Sequence, residues 1–219
     1  MLENINIKNN GYLVYNILGD ESNAQVYYIK DSIDYSINDQ TMRDRYISNS
    51  KHHCVFQKKD GSIVFKKKCN IKHTVLFEGS VAFQDCSSIE LSNNSSLIFK
   101  GGNVKIESNK KCRTKISGDG TGGIAFIDSP EVSIKNIIFN NLSSPIIPGV
   151  SFTGAVTAAN SVIKIINTSI LHSRSEDGLN IVRSNYHLDN VSVNNSFSDG
   201  IDIDYGFGAL IDVNISNSG

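Results

Sequence analysis

Five oxygen-bearing side chains recur at one interval near the end of the chain. Asp177 and Asn180 lie in Ser175-Glu-Asp-Gly-Leu-Asn-Ile, and Asp199, Asp202 and Asp204 in Ser198-Asp-Gly-Ile-Asp-Ile-Asp. An offset of 22 residues carries Asp177 onto Asp199 and Asn180 onto Asp202, with Glu176 flanking the set. A ladder of carboxylates suits two chemistries. Ca²⁺ accepts several oxygens at loose geometry, so Asp199, Asp202 and Asp204 are its expected ligands, with Asn180 adding a neutral oxygen. Acid–base chemistry on sugars needs two carboxyls roughly 5 to 9 Å apart. His172, Arg174 and Arg183 lie close by in sequence and offer the basic group a lyase needs beside a uronate carboxylate. With Asp202 and Asp204 they are the candidate catalytic residues. Plainer roles stand beside these. An Asp before Gly, as at 177 and 199, closes a turn by binding local amides, and surface cations commonly pair with neighbouring carboxylates.

The elements that must hold these residues are legible from two further markers. Gly154, Gly178 and Gly200 are 24 and 22 residues apart, while Asn167, Asn190 and Asp212 are 23 and 22 apart. Two markers at one period indicate stacked structural repeats. Within each repeat Leu179 and Ile181, or Ile201 and Ile203, alternate with polar residues, which is strand periodicity. A coil of this length has room for three short strands and three turns but none for a crossover helix. The expected fold is therefore all-β: a right-handed parallel β-helix with three strands per coil, like residues stacking at about 4.8 Å. Asn136, Asn167, Asn190 and Asp212 should then form a ladder at one turn. Upstream, Ile63-Val-Phe, Val75-Leu-Phe, Val81-Ala-Phe, Ile89-Glu-Leu, Leu97-Ile-Phe and Val104-Lys-Ile continue the strands with less regular turns.

Residues 1–50 lack the repeat and read as an irregular N-terminal cap, with a separate small binding module as the competing reading, and 51–219 as the β-helix. Two short strands are expected at Tyr12–Tyr15 and Val26–Tyr28 around Gly19–Asn23, and modest helical spacing runs from Asp39 to Ile47. Between Leu142 and Thr153 the chain inserts Ser143-Ser-Pro-Ile-Ile-Pro-Gly-Val, expected to be a stiff loop walling one face. Ile215-Ser-Asn-Ser-Gly219 stops in mid-repeat, so the native protein is expected to continue or to pair edge to edge with another chain there.

A formal charge of −1 gives no general pull toward nucleic acid or anionic lipid. No apolar run is long enough to span a membrane, and Met1-Leu-Glu-Asn lacks the features of a secretory signal. Cys54, Cys69, Cys86 and Cys112 show no Cys-x-x-Cys element and are expected to be free thiols filling the core. His52-His53-Cys54 is read as a surface stretch, because neighbours on a strand point to opposite faces.

Thr153-Gly-Ala-Val-Thr157, Ser175-Glu-Asp-Gly-Leu-Asn-Ile-Val-Arg-Ser184 and Ser198-Asp-Gly-Ile-Asp-Ile-Asp204 together resemble the right-handed parallel β-helix repeat proteins of the pectin-lyase-like superfold. Within that group the chain is most similar to the β-helix segment accompanying bacterial CotH-type kinase-like domains. The resemblance covers about 120–219 and implies a right-handed coil, a bacterial source and a cell-surface or extracellular place. It brings no activity, since this fold hosts lyases, hydrolases, epimerases and passive binding domains alike. The CotH-type kinase motifs are absent, as are the Gly-His-Gly and Arg-x-Lys elements of the pectin-degrading hydrolases. The function expected is a scaffold or accessory domain presenting a flat face to a glycan or partner protein. The alternative is a carbohydrate-active enzyme (lyase, hydrolase or epimerase) acting on an acidic polysaccharide. The ligand face in either case is Asp177, Asn180, Asp199, Asp202 and Asp204.

Overall fold

The computed structural model describes residues 11–16, 25–30, 53–59, 62–147 and 150–219. Short β-branched and aromatic runs bounded by polar turns build strands, and the described residues contain no helix. β1 (Gly11–Asn16) and β2 (Gln25–Lys30) pair antiparallel, Val14 opposite Tyr27, as the two expected strands. The rest of the expected cap, Asp39 to Ile47 included, lies outside the described residues.

β3 (Val55–Gln57) folds back antiparallel on β4 (Ile63–Phe65), and the strand pairings that follow are parallel. β4, β5 (Lys68–Ile71) and β6 (Val75–Glu78) make the first coil. The second is β7 (Val81–Phe83), β8 (Ser88–Leu91) and β9 (Leu97–Lys100), and the third β10 (Val104–Glu107), β11 (Thr114–Gly118) and β12 (Ile124–Ile127). The fourth is β13 (Val132–Lys135), β14 (Ile137–Asn140) and β15 (Gly154–Ala159). In the next two coils the first two strands merge: β16 (Val162–Leu171) precedes β17 (Asp177–Val182), and β18 (Asn185–Asn194) precedes β19 (Ile201–Asp204). β20 (Phe207–Ile211) and β21 (Asn214–Ser216) add to β18. The result is a parallel β-solenoid of about six turns with three walls. The third wall is β6-β9-β12-β15-β17-β19.

Register stacking makes the core. Phe77, Phe99 and Phe126 occupy one inward column of the third wall, their rings stacked at 5.7 and 5.4 Å, and Ala158, Ile181 and Ile203 continue it. Such ring pairs add about 0.5–1.5 kcal/mol beyond burial. The corners stack as well. Between the first and second walls, Asn136, Asn167, Asn190 and Asp212 all hold left-handed backbone, φ 48–57°. Between the second and third walls, Asn141, His172, Asn195 and Asn217 do the same. Between the third and the next coil's first wall stand Gly79, Gly101, Asp128, Asn160, Arg183 and Tyr205. Asn, Asp and Gly recur because this conformation costs other residues roughly 1–2 kcal/mol. The glycine marker has a different cause. A Cβ on Gly178 would lie 2.5 Å from Val193 Cγ1, and one on Gly200 2.3 Å from Ile215 Cγ2, so these corners press against inward side chains.

Two expectations change. The cysteines are not free thiols: Cys54 bonds to Cys69 and Cys86 to Cys112. Cα pairs 5.4 and 5.2 Å apart suit such bridges. The spacing of 15 and 26 residues hid this, since partners sit on neighbouring elements of the stack. The insertion is also not a wall beside a face. Ile147 packs with Leu76, Ile98, Ala125 and Ile127, joined by Val150 and Phe152, so the loop covers the outer face of the third wall's early strands. The Ile146 N–H donates to Ser96 Oγ at 2.9 Å and ties it down. Pro148 lies outside the described residues. Among the described residues no helix is long and apolar enough to cross a membrane.

Candidate functional site

The outward positions of the third wall form columns that change character along the stack. Leu76, Ile98 and Ala125 stand in register with Thr157, Asn180 and Asp202. Glu78, Lys100 and Ile127 stand in register with Ala159, Val182 and Asp204. The apolar stretch Leu76, Ile98, Ala125 and Ile127 lies under the loop, and Asp202 and Asp204 of the predicted ligand face stand at the far end of the two columns.

Asn180 is buried and donates from Nδ2 to Asp202 Oδ2 at 3.1 Å, one coil above it, as the 22-residue offset requires. Asp202 is half-buried and Asp204 exposed. Burial, with Asp204 and then Asp199 nearby, raises the Asp202 carboxyl above its usual range. Asp199 is exposed and its carbonyl accepts the Gly178 N–H at 2.9 Å.

Asp177 differs from its expected role as a turn former. Its side chain is only 2% exposed, and its Oδ2 has no hydrogen-bond partner. Burial pushes its carboxyl up to about 6 against the hydrogen bond from the Thr153 side chain, and Asp202, Glu176 and Asp199 push the same way. Two carboxyls in one neighbourhood cannot both ionise freely when water is excluded.

The cationic candidates do not converge on these carboxylates. His172 lies at the corner leading into β17, its Nδ1 at 3.1 Å from Asn195 Nδ2. Arg174 is at the same corner and donates from Nε to Asn141 Oδ1 at 3.2 Å. Arg183 sits at the opposite corner, its guanidinium 6.0 Å from the Tyr205 ring centroid, and its N–H reaches the Asp204 carbonyl at 2.7 Å. No salt bridge joins any of the three to Asp177, Asp199, Asp202 or Asp204 among the described residues. Among the described residues, His53, Cys54 and Cys69 bring three ligand atoms within 4.8 Å of one another.

One feature of the corner escaped sequence reading. Asp128, Ser129, Pro130, Asn160, Ser161, Val162, Arg183 and Asn185 line an open groove of about 260 Å³. Asn160 Nδ2 donates to Asp128 Oδ1 at 2.8 Å along its floor. The left-handed residue here is Asp, Asn, Arg and Tyr in successive coils, so no single letter repeats. The signal available was the serine after it. Ser129, Ser161 and Ser184 are buried and chained, the Ser129 N–H donating to Ser161 Oγ at 3.0 Å and the Ser161 N–H to Ser184 Oγ at 2.9 Å.

Comparison with family models, with curated proteins and with solved structures finds no match to this chain.

Proposed function

We propose that this chain is a β-helix scaffold or accessory domain presenting a flat polar face to a glycan or a partner protein, the glycan being the better fit. The observation that carries this is half-buried Asp202, held from below by buried Asn180, followed on the same strand by exposed Asp204 and the corner where Arg183 and Tyr205 meet. Tyr205, 78% exposed, adds an apolar ring with a polar rim at its edge. The stretches at 153–157, 175–184 and 198–204 resemble pectin-lyase-like proteins and the β-helix segments accompanying bacterial CotH-type domains, and that resemblance points to a cell-surface or extracellular setting.

A second reading, an enzyme acting on an acidic polysaccharide, is favoured by one observation. Asp177, held protonated toward pH 6, neighbours Asp202, and such split pairs serve as acid and base in sugar chemistry. Its burial and the scattered cations weigh against it. Immobilised polysaccharides distinguish the readings, with retention and ultraviolet absorption of unsaturated product followed together. Retention without product, weakened about tenfold or more by Asp202→Asn or Tyr205→Ala, supports the binding role. Released product establishes the enzyme, and absence of retention on every glycan turns the reading to a protein partner.

A further inference from the structure

We propose that His53, Cys54 and Cys69 form a metal site of the zinc class when the two cysteines are thiols, exclusive of the Cys54–Cys69 disulfide. The His53 ring nitrogen and both sulfurs lie within 4.8 Å of one another, with His53 Nε2 3.4 Å from Cys54 Sγ. A tetrahedral zinc, with Zn–S about 2.3 Å and Zn–N about 2.0 Å, places neighbouring S and N ligands about 3.5 Å apart. The ligand types are those that select zinc over Ca²⁺ or Mg²⁺.

The convergence has a local cause. His53 and Cys54 occupy a turn that ends before β3 begins at Val55, so the strand rule that would send neighbours to opposite faces does not apply. Lys66 Nζ donates to the His53 carbonyl at 2.6 Å and pins that turn, while Cys69 comes up beside it on β5. Cys54 is 1% exposed and His53 is exposed, so the metal would have a solvent side for a fourth ligand such as water. Among the described residues the Cys86–Cys112 pair has no histidine in such a grouping, and it serves as an internal comparison.

Metal binding is not a redox step: each thiol loses its proton, and each thiolate gives a lone pair to the metal. Conversion to the disulfide passes two electrons and two protons to an oxidant of the disulfide or quinone class. A dithiol returns both, whereas a phosphine returns the two electrons and water supplies the two protons and the oxygen of the phosphine oxide. Zinc and oxidation therefore compete for the same two sulfurs.

The test uses the full chain and its Cys86→Ser/Cys112→Ser variant, reduced with a phosphine without oxygen and titrated with Co²⁺, then Zn²⁺. The expected result is one Co²⁺ per chain with thiolate-to-cobalt charge-transfer absorption and the strong visible bands of a tetrahedral site. Zn²⁺ should displace it, and the oxidised protein should show none of it. His53→Ala, an exposed change that spares the core, should weaken binding at least about tenfold, the loss even an outer-shell partner can cause. Reduced protein without cobalt–thiolate absorption overturns the proposal, as does His53→Ala binding with the parent's affinity and bands.

Discussion

Asn190 Nδ2 donates to Asn167 Oδ1 at 2.8 Å, one coil below it, and both residues hold left-handed backbone. One residue type thus meets two demands at this corner. It tolerates a conformation that Ala would adopt at a cost of roughly 1–2 kcal/mol, and its amide links successive turns for roughly 0.5–1.5 kcal/mol. Asn190→Ala should lower stability by about 2 kcal/mol in urea unfolding. Asn190→Gly, which relieves the backbone but not the amide, should cost about 1 kcal/mol. Equal losses from the two would show that left-handed strain plays no part.

This ladder was legible because one letter repeats at one corner. The Phe77–Phe99–Phe126 column was half-legible, its triplets readable as strands but their irregular intervals hiding the register. Asp128, Asn160, Arg183 and Tyr205 were not legible, because the demand at that corner is on φ and several side chains meet it. The disulfides were hidden for another reason. Pairing depends on which elements the stack brings together, and Cys54 meets Cys69 only once β3 has folded back on β4 and β5 stands beside the preceding turn. In the candidate site the offset placed Asn180 under Asp202 correctly. Burial of Asp177 depends on neighbours far from it in sequence, and periodicity carries no information on that.

Ile147 seals the second apolar cluster over Leu76, Ile98 and Ala125, whereas Ile146 beside it is exposed. Ile147→Ala should cost about 2 kcal/mol, the low end for a buried isoleucine because the site lies near the surface. Ile146→Ala should change stability by less than about 0.5 kcal/mol. Shortening the loop, expected from sequence to leave the coil intact, should instead expose this cluster and lower the unfolding midpoint. An unchanged midpoint for Ile147→Ala would show that the loop rests on the wall without contributing to it.

Asp177 gives the sharpest pH dependence. Its carboxyl titrates near 6 in the folded chain and near 3.9 when unfolded, so between those values the folded state holds the extra proton. Stability linked to this group is fully present below pH 4 and is lost as pH rises through 6. The full shift corresponds to about 3 kcal/mol, reduced to the order of 1–2 kcal/mol by whatever screening reaches the group. Asp177→Asn, neutral at every pH, should match the parent at pH 4 and exceed it by that amount at pH 7.5. Thermal unfolding of both proteins from pH 4 to 8 checks this. Parallel curves across the range, or a variant that gains at pH 4 as much as at pH 7.5, would mean that the buried carboxyl finds a partner on ionising and carries no strain from its charge.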